Sequence, residues 1–280
     1  MSAAGSRRGP AGRAALCCAG FALALIVLAP YVAMVCAALK PEAELRITPP
    51  RLLPIEWRPG NFLEVLGDPS FQAWLRASLV VALASTGIVV LAATPAAYYT
   101  ARYRFPGRSA FLLLVLVTQM FSPTALVVGL YRQFFELGLV DTYAALILTN
   151  AAFNLAFAVW ILRAFFAAIP REIEEAAAVD GCGRLRTLVQ VVLPLSLPAI
   201  VTAVIFAFIA AWNEYIVALT LMTDPARKPL TVGITSYVTA YVQHWNSLFA
   251  ASVLAIVPVV VLFAVIERHL VGGLTAGSVK

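Results

Sequence analysis

The sequence predicts an all-α membrane protein of six transmembrane helices with both termini cytoplasmic, and three observations carry that expectation. Of its 280 residues 62% are hydrophobic and 12% charged, too apolar for a soluble domain to cover its own surface. Six continuous apolar runs reach the roughly 20 residues that a helix needs to cross a hydrocarbon core about 30 Å thick. Arginine is concentrated in alternate connections, as the cytoplasmic bias of basic residues requires. The chain is read as one membrane domain covering residues 1–280.

The spans are expected at about residues 14–39, 73–100, 109–131, 141–166, 197–222 and 248–270. Unbroken apolar runs exclude a closed barrel, whose strands would be short and alternating, so the backbone must be satisfied within helices. Arg7, Arg8 and Arg13 precede the first run, which is too long for a cleaved signal peptide and ends at Lys40-Pro41 without a small-residue cleavage site; a retained helix is expected. The turn from Ala101 to Arg108 holds Arg102, Arg104 and Arg108 and resists translocation, which sets that side as cytoplasmic. Pro30, Pro95, Pro123 and Pro258 fall inside the expected spans, where each removes a backbone donor and favours a kink. The first outer loop, Lys40 to Gln72, is proline-rich, with a short helix expected near Asn61 to Leu66.

A net charge of +6 is spread between apolar runs and forms no basic patch, so nucleic acid is not an expected partner; a lipid bilayer is. Cys17, Cys18 and Cys36 lie in the first run and Cys182 in a loop, with no CxxC pair and two histidines, His244 and His269, so neither a disulfide framework nor a metal site is indicated. Two separated histidines with no acid cluster also supply no catalytic constellation.

The connection between the fourth and fifth spans, about residues 169–196, is unusually rich in helix signals. Pro170 suits a first helical turn, Glu172, Glu174 and Glu175 suit the positive helix end, and Ala176 to Ala178 are strong helix formers. Gly181 and Gly183 stop that helix, and a second is expected from Arg184 until Pro194 breaks it. A cytoplasmic helix pair of this kind offers a small smooth alanine surface and a carboxylate able to bond a partner's cation, and so reads as a docking element. An interfacial helix lying on the membrane is disfavoured, because its acids would be repelled by anionic headgroups.

Glu175-Ala176-Ala177, then Gly181, then Val191-Val192-Leu193-Pro194 resembles the EAA loop of ATP-binding-cassette importer permeases, departing by valine for isoleucine. Trp212-Asn213-Glu214-Tyr215 and the ending Gly272 to Lys280 extend the resemblance to the maltose-type, MalG-like permeases. The resemblance implies a noncatalytic subunit of the bacterial inner membrane in which Glu175, Ala176, Ala177, Asp180 and Gly181 couple to the ATPase. It further implies three kinds of partner: a second, MalF-like permease, an ATPase dimer and an extracytoplasmic solute-binding protein. It implies no cofactor in this chain, with ATP and magnesium held by the ATPase.

Polar residues at membrane depth are the candidate solute path. Asn150 and Asn154 share a helix face, and Asn150 and Asn213 each fall roughly 13 Å from the outer end of their spans, with Trp212 and Glu214 adjacent to Asn213. Carboxamides and a carboxylate can satisfy sugar hydroxyls, and Trp212 could stack on a pyranose, although bonds between helices would explain the same residues. His244-Trp245 is expected near the outer interface. An ion-coupled carrier would place more ionisable groups at mid-membrane than Glu214 alone. No basic residue lies deep in a span, which favours an uncharged sugar over a phosphorylated solute.

Overall fold

The computed structural model describes residues 10–275 other than 242, with side chains described from residue 16 to residue 266. Arg7, Arg8, Lys280 and tail residues 276–280 lie outside the described residues, as do the side chains of Arg13, Arg268 and His269. Among the described residues the α-helices are α1 (Pro10–Ala38), α2 (Glu42–Leu45), α3 (Gly60–Gly67), α4 (Pro69–Arg102), α5 (Arg108–Thr118), α6 (Pro123–Glu136) and α7 (Tyr143–Ala168), followed by α8 (Arg171–Val179), α9 (Arg184–Thr187), α10 (Leu193–Leu195), α11 (Leu197–Trp212), α12 (Ile216–Leu221), α13 (Leu230–Gly233) and α14 (Trp245–Thr275). Apart from an isolated antiparallel bridge between Val238 and Gln243, the described residues form no β-structure.

Among the described residues, four stretches are long and apolar enough to cross a membrane: Leu16–Ala38, Pro69–Arg102, Tyr143–Ala168 and Trp245–Ile266. The other two expected spans are not continuous. The run expected over 109–131 bends by 98° between α5 and α6. Gln119, Met120 and Phe121 each bond the carbonyl three residues back, a tightening that ends α5, and Pro123 starts α6 at its first turn instead of kinking one long helix. The run expected over 197–222 breaks at Asn213 to Tyr215 without any proline, because Glu214 turns back to cap α12 through the amides of Val217 (2.7 Å) and Ala218 (2.9 Å).

The helix expected to break at Pro194 instead runs on through a π-helical turn, Leu188–Val192, into α10. The wider turn sits where the proline ring would otherwise strike a carbonyl four residues back. The 80° bend comes later, at Ser196, between the α9–α10 segment and α11.

The chain forms two compact units. The described residues of the first lie within 1–66 and 237–254, and those of the second within 67–236 and 255–280. In the first, the proline-rich loop is pinned by buried polar groups: Asn61 donates to the carbonyls of Ala38 and Lys40 (2.8 Å each), and buried Glu44 accepts the Ile55 amide and lies 3.9 Å from Lys40 Nζ. In the second, α4, α7 and α11 pack through small residues, Ala93 and Ala97 on α4, Ala156 and Ala158 on α7, and Ala199, Ala203 and Ala207 on α11. Without a hydrophobic drive between helices in lipid, such close backbone approach is what dispersion requires.

Candidate functional site

The helix pair after α7 is built by local signals and anchored by two charges. Gly181 has φ +84°, the left-handed region open to glycine, and closes α8 with paired bonds, Cys182 N–H to Ala177 O (2.9 Å) and Gly181 N–H to Ala178 O (3.1 Å). Below α8, Glu174 pairs with Arg102 at the end of α4 (2.5 Å) and accepts the Tyr98 hydroxyl (2.7 Å). Arg102 also donates to Ile169 O, Arg171 donates to Arg102 O, and the Arg184 guanidinium sits 5.2 Å from the Tyr103 ring centroid. Tyr98, Arg102, Tyr103, Arg171, Glu174 and Arg184, with Glu175, Ala178, Cys182 and Thr187, line a cleft of about 240 Å³.

Among the residues expected to couple, Glu175, Ala176, Asp180 and Gly181 are exposed and Ala177 is buried. Sequence reasoning missed the anchor, Glu174 with Arg102 and Tyr98, and missed the apolar Val179 and Leu185, which are 88% and 75% exposed. A signal for the anchor existed: Arg171, Glu174, Glu175 and Ala178 fall at i, i+3, i+4 and i+7, one helical face, and all four line the cleft.

The polar residues at membrane depth divide. Asn150 and Glu214 come together on a cavity of about 10 Å³ lined also by Ser78, Leu146 and Pro229. Asn150 is buried and donates to Leu146 O (3.0 Å), and Asn154 donates to Asn150 O (2.8 Å), so both side chains bond their own helix. Trp212 does not offer a free ring for stacking in this conformation: it is 4% exposed, stacked on Phe208, with Nε1 donating to Ala255 O (3.2 Å). Asn213 is exposed at the break. Glu214 caps α12, and its carbonyl accepts the Thr231 hydroxyl (2.8 Å). Among the described residues no group of three or more His, Cys, Asp or Glu side chains could hold a metal ion.

The family described as the binding-protein-dependent transport system inner membrane component matches residues 90–275, a stretch that contains the anchored helix pair and both broken runs. The chain belongs to this family. The permease is 36% identical to the sulfoquinovosyl glycerol transport system permease protein SmoH of Agrobacterium fabrum, over 90% of this chain and 89% of that one. It is 34% identical to the trehalose/maltose transport system permease protein MalG of Thermococcus litoralis, over 92% and 93% of the two chains. Its fold matches a chain of a bacterial ABC transporter involved in alginate import with a TM-score of 0.80 at 23% identity, covering 93% of the permease and 98% of that chain. The permease is thus a multi-pass, noncatalytic subunit of an ABC importer.

Proposed function

We propose that the permease forms the translocation path for a di- or oligosaccharide or related glycoside together with a second, MalF-like permease, in the bacterial cytoplasmic membrane. The bent pair α5–α6 and the broken run α11–α12 each count as one span, giving six with both termini inside, and α8 to α10 form the coupling element between the fourth and fifth spans. An extracytoplasmic binding protein delivers the solute, and a partner ATPase dimer holds ATP and magnesium and drives the cycle. Relatives named for trehalose/maltose and sulfoquinovosyl glycerol support a glycoside as the solute.

One observation carries the coupling role. The helix pair exposes Glu175, Ala176, Val179, Asp180, Gly181 and Leu185, while Glu174 is ion-paired to the end of a 34-residue helix. A partner seated on α8 therefore pushes on a charge anchored to α4, and α4 is packed along α7 and α11. Non-helical backbone at the two breaks supports a path beside α6 and α12, since such backbone survives at membrane depth where it is buried in protein or lines a polar cavity. Asn213, Glu214, Asn150 and Asn154 are the candidate contacts there, with Trp212 holding the break in place.

The test is ATP-dependent uptake of a panel of radiolabelled sugars in liposomes holding the permease with its partner permease, ATPase and binding protein. Uptake that disappears on Glu175→Lys, with the variant still inserted, supports coupling through α8. Uptake by the permease alone under an ion gradient would sink the importer reading.

A further inference from the structure

At the end of the second unit away from the coupling helices, the turn joining α6 to α7 reaches the segment after α12 through one residue. Asp141 has φ +59°, the one non-glycine positive φ among the described residues. Its amide donates to Leu221 O (3.0 Å) and its carbonyl accepts the Arg227 guanidinium (3.0 Å). Its carboxylate accepts the amides of Thr223 (2.5 Å) and Asp224 (2.9 Å) and the Thr223 hydroxyl. Arg227 is itself held 3.5 Å from Asp224. Five polar links thus join residues about eighty positions apart, from a left-handed backbone conformation that a non-glycine residue seldom adopts.

Beneath this tie lies an apolar contact. Val127 and Phe134 of α6 and Leu139 of the turn pack on a buried cluster that includes Val217, Ala218 and Leu221 of α12. At their other ends α6 and α12 both begin at breaks, 119–122 and 213–215. Two short helices, each detached from its preceding helix, are therefore fastened to each other at the end remote from the coupling element. Nothing else about a turn requires an aspartate there: glycine would satisfy the backbone at no steric cost.

We infer that Asp141 is a positioning residue that makes α6 and α12 move as one body, so that movement imposed at the coupling helices arrives at the far end as a joint displacement. Without the tie, each short helix can shift at its own break, and ATP is hydrolysed without a matching solute step. This inference rests on the importer reading above.

The experiment compares transport per ATP hydrolysed in the reconstituted importer for wild type, Asp141→Asn, Asp141→Gly and Thr223→Val. In parallel, the distance is measured between spin labels at Arg132 on α6 and Leu219 on α12 in a permease whose four native cysteines are replaced. Asparagine tolerates the left-handed backbone, and its amide oxygen still accepts both N–H groups, so coupling stays near wild type. Glycine keeps the turn but deletes every side-chain link. Transport per ATP is expected to fall about tenfold, the equivalent of one strong hydrogen bond, with the label distance broadened and insertion unchanged. Thr223→Val falls between.

Wild-type stoichiometry with a sharp label distance in Asp141→Gly overturns the inference and leaves Asp141 a turn residue. If Asp141→Gly does not assemble, Thr223→Val decides by the same two readings. Absence of ATP-driven uptake in the wild-type complex counts against the importer reading instead, while the label distances still report on the tie.

Discussion

Glu174 and Glu175 are neighbours on α8 with opposite surroundings: the Glu174 carboxylate lies 2.5 Å from the Arg102 guanidinium, whereas Glu175 is solvent-exposed at the rim of the same cleft. Removing Glu174 leaves Arg102, whose side chain is 7% exposed, without its counter-charge. Glu174→Ala is therefore expected to destabilise the solubilised permease by about 2–3 kcal/mol, the scale of a broken part-buried pair. Glu175→Lys is expected to leave its melting temperature unchanged while releasing the ATPase. Thermal unfolding and co-purification of the ATPase separate the two.

Gly181 lets α8 end in a left-handed turn, which a β-branched side chain resists by roughly 1–2 kcal/mol. A Cβ at position 181 would meet open space, so the cost of Gly181→Val is conformational and does not come from a clash. Membrane insertion is expected to persist while ATP-driven uptake is lost. Uptake with normal turnover in this variant would show that the turn geometry is dispensable.

Legibility in the sequence followed how local each cause was. Gly181, the acids before it and the alanine run are short-range signals, so the helix pair itself could be placed from the sequence alone. The division of labour between Glu174 and Glu175 could not, because it depends on which face of α8 meets Tyr98 and Arg102, residues more than seventy positions away. Pro123 was visible, but whether a proline kinks a helix or starts a new one is settled by what the freed backbone finds, here the tightened turn at Gln119 to Phe121. The break at Asn213 carries no proline or glycine at all. It arises from Glu214 capping α12 in an apolar setting, a choice that hydropathy does not register.

Trp74 and Gly233 meet with no room between them: a Cβ on Gly233 would fall 2.2 Å from the indole Cδ2. The indole also donates to Pro225 O (2.9 Å), so it cannot swing away freely. Gly233→Ala is expected to cost about 1–3 kcal/mol as an overpacked contact. A Trp74→Leu exchange in the same chain should recover part of that loss, read from thermal unfolding of the two single variants and the pair.

The Thr223 hydroxyl, and after it the Asp224 amide, hold the Asp141 carboxyl below the usual carboxylate range. A lowered folded-state value means that the unfolded chain binds the proton first as pH falls. The contribution of this group to stability is then complete above about pH 4, the ordinary value for aspartate, and is lost as pH drops through the lower folded value. The stability difference between wild type and Asp141→Asn should be flat from neutral pH to about pH 5 and shrink below pH 4. A difference that grows on acidification would contradict the assigned bonds.

Asn213 and Glu214 separate solute contact from architecture at the break in the fifth run. Asn213 is exposed and, among the described residues, makes no side-chain hydrogen bond, so Asn213→Ala should leave unfolding unaltered and raise the solute concentration for half-maximal uptake if it meets the sugar. A lost bond to a sugar hydroxyl, about 1 kcal/mol, corresponds to roughly fivefold. Glu214 holds the first turn of α12, and Glu214→Ala should lower the melting temperature whatever the solute. Glu214→Gln keeps an oxygen for the Val217 and Ala218 amides and should restore the fold, so any uptake defect that remains in it measures the carboxylate's own part in the path. Equal uptake in Asn213→Ala and wild type would move the solute path away from this break and toward the partner permease.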